Sequence, residues 1–500
     1  MDFIQNFPLF TIIPSLFSGV LCTILKGKTA KRYTVIYQGF LILLVSAVLF
    51  YTIQRGESFT YVMGEFPAPW GNEIRAGVLE ALVALLFLVI MLCCVISGHR
   101  FILTDMDPSK INLYYTLINL MTAALMALVW TNDIFTGYVF LEILTLTSCG
   151  VLIVREIGRT TLAAVRYMIL NLLGSGLFLL GVVLLYNLTG HLLMVPMQET
   201  IAEMVRDPEI VPVLTMAIGI LTIGLSIKSG LFPFHFWMPD TYGWATPTSA
   251  SLLSSLVSKA YIFLLIKIYY RAIGFWVIQS IPIQNVLLIL GIGGMVVGSI
   301  QAVHAKNLNQ MVAFSSAAQI GYIFMGIGLG GIYGYTAAIF HIFVHAVTKS
   351  LLFQTTPRLA AVSEESLLFA PLQGSGLRDR HAGVMFLLGS LSMIGIPIFA
   401  GFSSKLQFGI AAIRTQSYWQ IILVMLALAV SSLLNAVYFI RIVIRIFSTK
   451  EEGEGMTDIG RSHVASFLIP MSVLVGLNLF LGLFSWVFVD LITQGLNMFG

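Results

Sequence analysis

Seven ionisable side chains stand inside runs that are otherwise apolar: Glu142, Lys228, Lys259, His341, His345, Lys349 and Lys405. An ammonium or carboxylate at membrane depth is costly on any transfer scale, which makes each a candidate for ion movement by default. Glu142 sits in the middle of YVFLEILTLTSCGVLIV, where a carboxylate must be neutral or paired. It admits two compatible roles, a structural partner locking two helices and a switching partner for a lysine. Lys228 is the natural partner. Burial disfavours an ammonium and a nearby carboxylate favours it, so a changing separation would change the lysine's hold on its proton. One pKa unit is worth about 1.4 kcal/mol, enough for a pair that opens and closes to load and release a proton.

His341, His345 and Lys349 recur at i, i+4 and i+8 in AIFHIFVHAVTKSLLF, a stripe that drifts only slowly around one helical face. Histidine passes protons through its two nitrogens near neutral pH. The stripe carries no acidic or thiolate residue, so it reads as a proton relay and not a metal site. Lys259 follows Ser251, Ser254, Ser255 and Ser258, whose hydroxyls can hold water, bond carbonyls or simply pack between helices. Lys405 follows the turn GFSS and reads as a terminal proton site or as an anchor at a helix start. Lys267 lies near the end of its apolar run, where its long stem can reach the interface; it is expected to be a snorkelling anchor. Asp240, beside Pro239, is expected to cap a turn.

The elements that must position these groups follow from composition. The chain is 58% hydrophobic and only 10% charged, where a soluble domain carries about 25% charged residues. It is therefore an integral membrane protein. Windows of about 20 apolar residues give fourteen spans, at 5–25, 34–53, 77–97, 111–130, 134–154, 164–187, 211–232, 248–270, 284–303, 310–330, 333–356, 382–400, 418–447 and 465–492. The polar gaps are shorter than an ordinary domain of about 50 residues, so no soluble domain is expected. The first span is expected to be retained, since no cleavage site of small residues follows it. Cys22, Cys93, Cys94 and Cys149 lie in apolar runs and read as small buried hydrophobes.

Lysine and arginine are biased toward alternate connections. Lys26, Lys28, Lys31, Arg32, Arg100, Lys110, Arg155 and Arg159 fall on one side, with Arg358, Arg378, Arg441 and Arg445. The positive-inside rule puts that side in the cytoplasm and both termini outside. The net charge of +4 reflects these loops and not a nucleic-acid surface. The seventh span breaks after Lys228 at SGLFPFHF, and the twelfth breaks at IGIPIFAGFSSK, with short continuations expected after Pro239 and after Gly401. An offset of five spans would place two five-helix units in inverted orientation, at 111–271 and 284–447, after three leading spans in 1–110 and before a C-terminal helix in 448–500. No phosphate loop, dinucleotide fingerprint, haem motif or nucleophile elbow occurs in a plausible context.

IKSGLFPFHFWMPDTYGWATPTSASLLSSLVSK, AKNLNQMVAFSSAAQIGYIFMGIG (305–328) and HIFVHAVTKSLLF (341–353) resemble the antiporter-like subunits shared by respiratory complex I, membrane-bound hydrogenases and Mrp-type cation/proton antiporters. The resemblance covers residues 75 to 450, and YVMGEFPAPWGNEIRAGVLEAL (61–82) looks like the D-type component of Mrp antiporters and its hydrogenase relatives. It implies an all-α fold of fourteen transmembrane helices, two inverted five-helix repeats, and broken seventh and twelfth helices. By position it implies a central hydrophilic axis of Glu142, Lys228, Lys259 and Lys405, with His341, His345 and Lys349 between the halves. The implied function is proton translocation within a multi-subunit Na⁺/H⁺ antiporter in a prokaryotic plasma membrane. A proton-pumping subunit of a redox-driven complex is the alternative. The implied partners are other subunits, the lipid bilayer, protons and Na⁺; no redox cofactor, metal or catalytic residue is expected in this chain.

Overall fold

The computed structural model describes residues 3–66, 71–449 and 464–499. Its helices are α1 (Phe7–Ile24), α2 (Gly27–Arg55), α3 (Val78–Asp105), α4 (Ile111–Trp130), α5 (Ile134–Ile153), α6 (Gly158–Thr189) and α7 (Met194–Met204). Then come α8 (Ile210–Ser229), α9 (Met238–Trp244), α10 (Pro247–Leu252), α11 (Ser258–Lys267), α12 (Phe275–Ser280), α13 (Ile283–His304) and α14 (Leu308–Leu329). The chain continues through α15 (Gly331–Ala361), α16 (Ser375–Arg378), α17 (Arg380–Ile394), α18 (Ala400–Arg414), α19 (Tyr418–Phe447), α20 (Val464–Leu483) and α21 (Ser485–Asn497). Thirteen described helical stretches are long and apolar enough to cross a bilayer. The twelfth expected span is divided between α17 and α18, so fourteen crossings stand if that pair counts as one.

Several details depart from the sequence-based expectations. The second half of the twelfth span is no short continuation: α18 runs for 15 residues from Ala400. The last expected span divides at Phe484 into α20 and α21. An antiparallel hairpin of two four-residue strands, β1 (Phe59–Val62) and β2 (Glu73–Ala76), stands beside the helices, with Phe59 opposite Ala76. FTYV does not alternate strictly and EIRA alternates only at the minimum length of about four residues, so the pattern gives little signal in sequence.

The two helix breaks are built alike. α8 ends at Gly230 (φ 78°) and α17 at Gly395 (φ 93°), both left-handed conformations that glycine adopts without penalty. Gly230 N–H bonds the carbonyls of Ser226 and Ile227, and Gly395 N–H those of Leu391 and Ser392. Pro233 and Pro397, which cannot continue a helix, follow each glycine closely. Lys228 stands just before the first break, and the Lys405 side chain lies over the second.

The core of the bundle is α10–α11, α14 and α15. Every residue from Pro247 to Ile273 is buried, as is most of α14 and α15. α5, α6, α13 and α19 instead leave large apolar side chains such as Leu146, Leu173, Ile289 and Leu433 on the outside, as a lipid-facing surface requires. A π-helical turn at Leu253–Val257 interrupts the central helix immediately before Lys259. Such turns free backbone carbonyls and often accompany functional sites.

Helices α13 and α14 touch backbone to backbone through glycines. A Cβ on Gly321 would lie 2.5 Å from both the Gly291 carbonyl oxygen and the Met295 nitrogen. Neither is free to yield, so Gly321→Val is expected to force the helices apart, at a cost of about 1–3 kcal/mol or more. The folded yield and melting temperature should fall sharply relative to Gly219→Val, a position with open space around it. Equal stability of the two variants would contradict the close crossing.

Candidate functional site: a buried line of lysines and histidines

Starting at the outer circumference, α5 presents Phe135, Val139 and Leu146 to the surface, and Glu142 lies along the same helical face with its side chain 21% exposed. Across the gap to α8, Lys228 is fully buried, and its Nζ stands 3.8 Å from Glu142 Oε1. That separation is an ion pair at its outer limit, and Oε1 has no hydrogen-bond partner. Lys228 instead donates to Thr145 Oγ1 at 2.7 Å, one turn along α5 from the glutamate, and its ammonium sits 5.2 Å from the Tyr261 ring centroid. Gly174 and Gly224 make this possible: a Cβ on Gly174 would meet the Gly224 carbonyl oxygen at 2.8 Å and Lys228 Cγ at 3.0 Å. Lys228 thus has two alternative partners on one helix.

Thr145 also meets the Tyr261 hydroxyl at 3.2 Å, which carries the line into the central helix. Two residues before Tyr261, the Lys259 Nζ donates to the carbonyl of Ser254, within the π-helical turn, and to Ser258 Oγ at 3.1 Å. The Ser254 hydroxyl meets Ser316 Oγ of α14 at 3.0 Å, and Ser316 donates to the Val312 carbonyl. That same carbonyl accepts from Lys349 Nζ at 2.9 Å; Lys349 also donates to Ser315 Oγ. The serines before Lys259 are therefore joints between helices: Ser251 meets Cys94 and Ser255 accepts from Ser350.

One turn earlier on α15, neither nitrogen of His345 has a hydrogen-bond partner in the protein. Its ring lies nearly parallel to that of His341, at 6.1 Å and 10°. His341 Nδ1 is 2.7 Å from Ser404 Oγ, the residue preceding Lys405. Lys405 Nζ donates to the carbonyls of Ile394 at 2.6 Å and Met393 at 3.2 Å, the open end of α17. All seven residues singled out in the sequence thus lie along one line from α5 to α18.

The line carries four ammonium side chains and one carboxylate. Among the described residues, only Lys228 of the four has a carboxylate within 4 Å. Buried cations without counter-ions cannot all be charged together at tolerable cost. Such a row holds fewer excess protons than it has sites, which leaves sites free to receive one.

Sequence reasoning missed the hydroxyls that join the cations. Thr145, one turn from Glu142, and Tyr261, two residues from Lys259, were signalled by position alone. Ser315, Ser316 and Ser404 carried no signal, because their partners come from other helices. Lys267 requires a correction. It does not snorkel: it is fully buried and donates to the carbonyls of Val129 at 2.7 Å and Thr131 at 2.5 Å, closing the end of α4. The helix end that looked free is covered by α4 and by the Arg75–Glu80 and Arg271–Asn132 contacts at the same level. Asp240 stands in the first turn of α9 and pairs with Arg166 at 2.7 Å on the surface. The four cysteines are buried and unpaired.

Residues 131–432 match the family described as NADH:quinone oxidoreductase/Mrp antiporter, TM. Among similar proteins is the N-type component of the NADH-quinone oxidoreductase of Desulforudis audaxviator, 31% identical over 88% of this chain and 86% of the relative. Another is the D-type component of the Na(+)/H(+) antiporter of Alkalihalophilus pseudofirmus, 25% identical over 94% of this chain and 92% of the relative. The fold is shared with a chain of an archaeal membrane-bound sulfane sulfur reductase (TM-score 0.85, 24% identity, 99% of this chain and 96% of that one). It is shared equally with a chain of the Mrp complex from Dietzia sp. DQ12-45-1b (TM-score 0.85, 23% identity, 100% and 98%). Matched over more than half its length, the chain belongs to the NADH:quinone oxidoreductase/Mrp antiporter transmembrane family.

Proposed function

We propose that this chain is the proton-translocating subunit of a multi-subunit Na⁺/H⁺ antiporter, moving protons laterally through the middle of the bilayer along Glu142, Lys228, Lys259, Lys349, His345, His341 and Lys405. The observation that carries this reading is the succession of titratable groups on neighbouring helices, five of them buried and Glu142 and Lys405 partly so, with hydroxyls of Thr145, Tyr261, Ser316 and Ser404 set among them. Lys228 exchanges between Glu142, whose carboxylate favours its ammonium strongly, and Thr145, a neutral acceptor that favours it less. When the pair opens, the proton moves through Thr145 and Tyr261 toward Lys259. The unpartnered nitrogens of His345 and His341 are groups that bridging water serves, and they link Lys349 to Ser404 and Lys405.

The equivalent construction of the two helix breaks supports inverted halves at 111–271 and 284–447, each with one lysine at its break. The basic connections favour a cytoplasmic side for those loops and an outer side for both termini, in a prokaryotic plasma membrane. Similarity over nearly the full length to the D-type component of a Na(+)/H(+) antiporter supports the antiport reading. Similarity to the N-type component of an NADH-quinone oxidoreductase supports the second, in which the same line is driven by redox chemistry elsewhere in a larger assembly. Identifying the chains that copurify separates them: small antiporter subunits favour the first, electron-transfer subunits the second.

Transport itself tests the line. In proteoliposomes holding the intact complex, Glu142→Gln is expected to slow proton movement about tenfold, as the loss of roughly 1.4 kcal/mol of pairing with Lys228 would. The assembled complex should be retained. Full-rate exchange by assembled Glu142→Gln and Lys228→Ala complexes would end the proposal.

A further inference from the structure

At the end of the bundle where α1 turns into α2, a cavity of about 480 Å³ lies between α2 and α3, lined by Lys28, Lys31, Arg32, Val35, Ile36 and His99, with Ile96 beside it. The five α2 residues fall at i, i+3, i+4, i+7 and i+8, a single face of one helix. Along that face the chemistry changes once. The first turn is cationic, and the next along the helix is aliphatic, with Val35 partly buried and Ile36 exposed. Beyond it Phe40 and Leu43 continue outward-facing, 52% and 69% exposed. His99, on the α3 wall, is fixed by the Tyr115 hydroxyl at 2.8 Å from Nδ1.

Like charges one turn apart repel. The described residues before Glu57 contain no aspartate or glutamate, and among the described residues no ion pair is made by Lys28, Lys31 or Arg32. Lys26, which precedes α2, offers no side-chain cap to its first N–H groups, adding the positive end of the helix dipole to the same corner. The site therefore asks for an anion at the membrane boundary carrying an apolar tail that runs inward beside Val35, Ile36 and Ile96. Basic pockets between membrane helices satisfy that description with anionic lipid.

We infer that this cleft is a binding site for an anionic phospholipid, its phosphate held by Lys28, Lys31 and Arg32 and one acyl chain lying along the groove between α2 and α3. The inference is independent of the route of the protons. Lysine and arginine near a lipid headgroup each contribute about a fivefold gain in affinity, so neutralising three of them is expected to weaken binding roughly a hundredfold.

The test uses the intact complex, purified in mild detergent and exchanged into nanodiscs of phosphatidylcholine doped with phosphatidylglycerol. Native mass spectrometry should show phosphatidylglycerol retained on the wild-type complex and lost from Lys28→Gln/Lys31→Gln/Arg32→Gln. The same substitutions made at Arg441 and Arg445, on another helix, should retain the lipid. Inorganic phosphate at millimolar concentration should not displace it. Equal retention by the triple variant overturns the inference. So does displacement by inorganic phosphate, which would make this a soluble-anion site. A photo-crosslinker at residue 28 that captures a neighbouring subunit instead of lipid overturns it too. Because the readout is lipid retention, a complex inactive in transport would still report on the site.

Discussion

Replacing Lys259 with methionine is expected to slow proton transport by a factor on the order of 100 while leaving the complex assembled. Among the described residues, Lys259 is the one titratable group on the line between Tyr261 and the α15 stripe. Without it a proton must cross the interval with only neutral hydroxyls to meet it, a barrier of about 3 kcal/mol by the insertion cost of a charged group, or roughly a hundredfold in rate. The fold should tolerate the change. Among the described residues, the Lys259 ammonium hydrogen-bonds only the Ser254 carbonyl and the Ser258 hydroxyl of its own helix, and the Ser254 hydroxyl keeps its bond to Ser316. Methionine fills a similar volume and adapts to irregular gaps. Lys259→Arg should be almost as damaging as methionine, because a guanidinium keeps its proton and cannot relay it. Transport by Lys259→Met within twofold of the wild-type rate, measured with a pH dye in proteoliposomes, would show that protons do not pass this position.

The second large effect is on stability and lies off the line. Arg358, in the last turn of α15, places Nε 2.6 Å from Asp379 Oδ2, with the two side chains 6% and 2% exposed. The same carboxylate accepts from Ala382 N–H at 3.1 Å and so caps α17, while the guanidinium lies 4.6 Å from the Phe467 ring centroid. Three helices meet on one buried pair. Removing either partner strands the other charge, a loss of about 3–5 kcal/mol, whereas replacing both with apolar residues of similar size can come close to neutral. Arg358→Ala and Asp379→Ala should each melt the purified complex at markedly lower temperature, and Arg358→Met/Asp379→Leu should recover most of the loss. Transport per folded molecule should remain near wild type in the double variant. Additive losses in the double variant would mean that the pair is not coupled.

The spacing of apolar residues determined most of the helices, because a bilayer leaves a backbone little choice but to bond itself. The windows 111–130 and 418–447 coincide with α4 and α19, and the two breaks follow from Gly and Pro beside a lysine. The candidates for chemistry were legible for the same reason, since Glu142, Lys228, Lys259 and Lys405 conflict with their apolar surroundings. A conflict shows in sequence; its resolution does not. That Lys228 is shared between Glu142 and Thr145, that Ser254 and Ser316 bridge Lys259 toward Lys349, and that Ser404 meets His341 depend on helices far apart in the chain. Lys267 was misread on these grounds. Its position near a helix end promised open interface, and only packing against the end of α4 decided that its ammonium would be enclosed by carbonyls. Periodicity and hydropathy report what one helix needs, while the partner that meets the need is chosen by how the helices assemble.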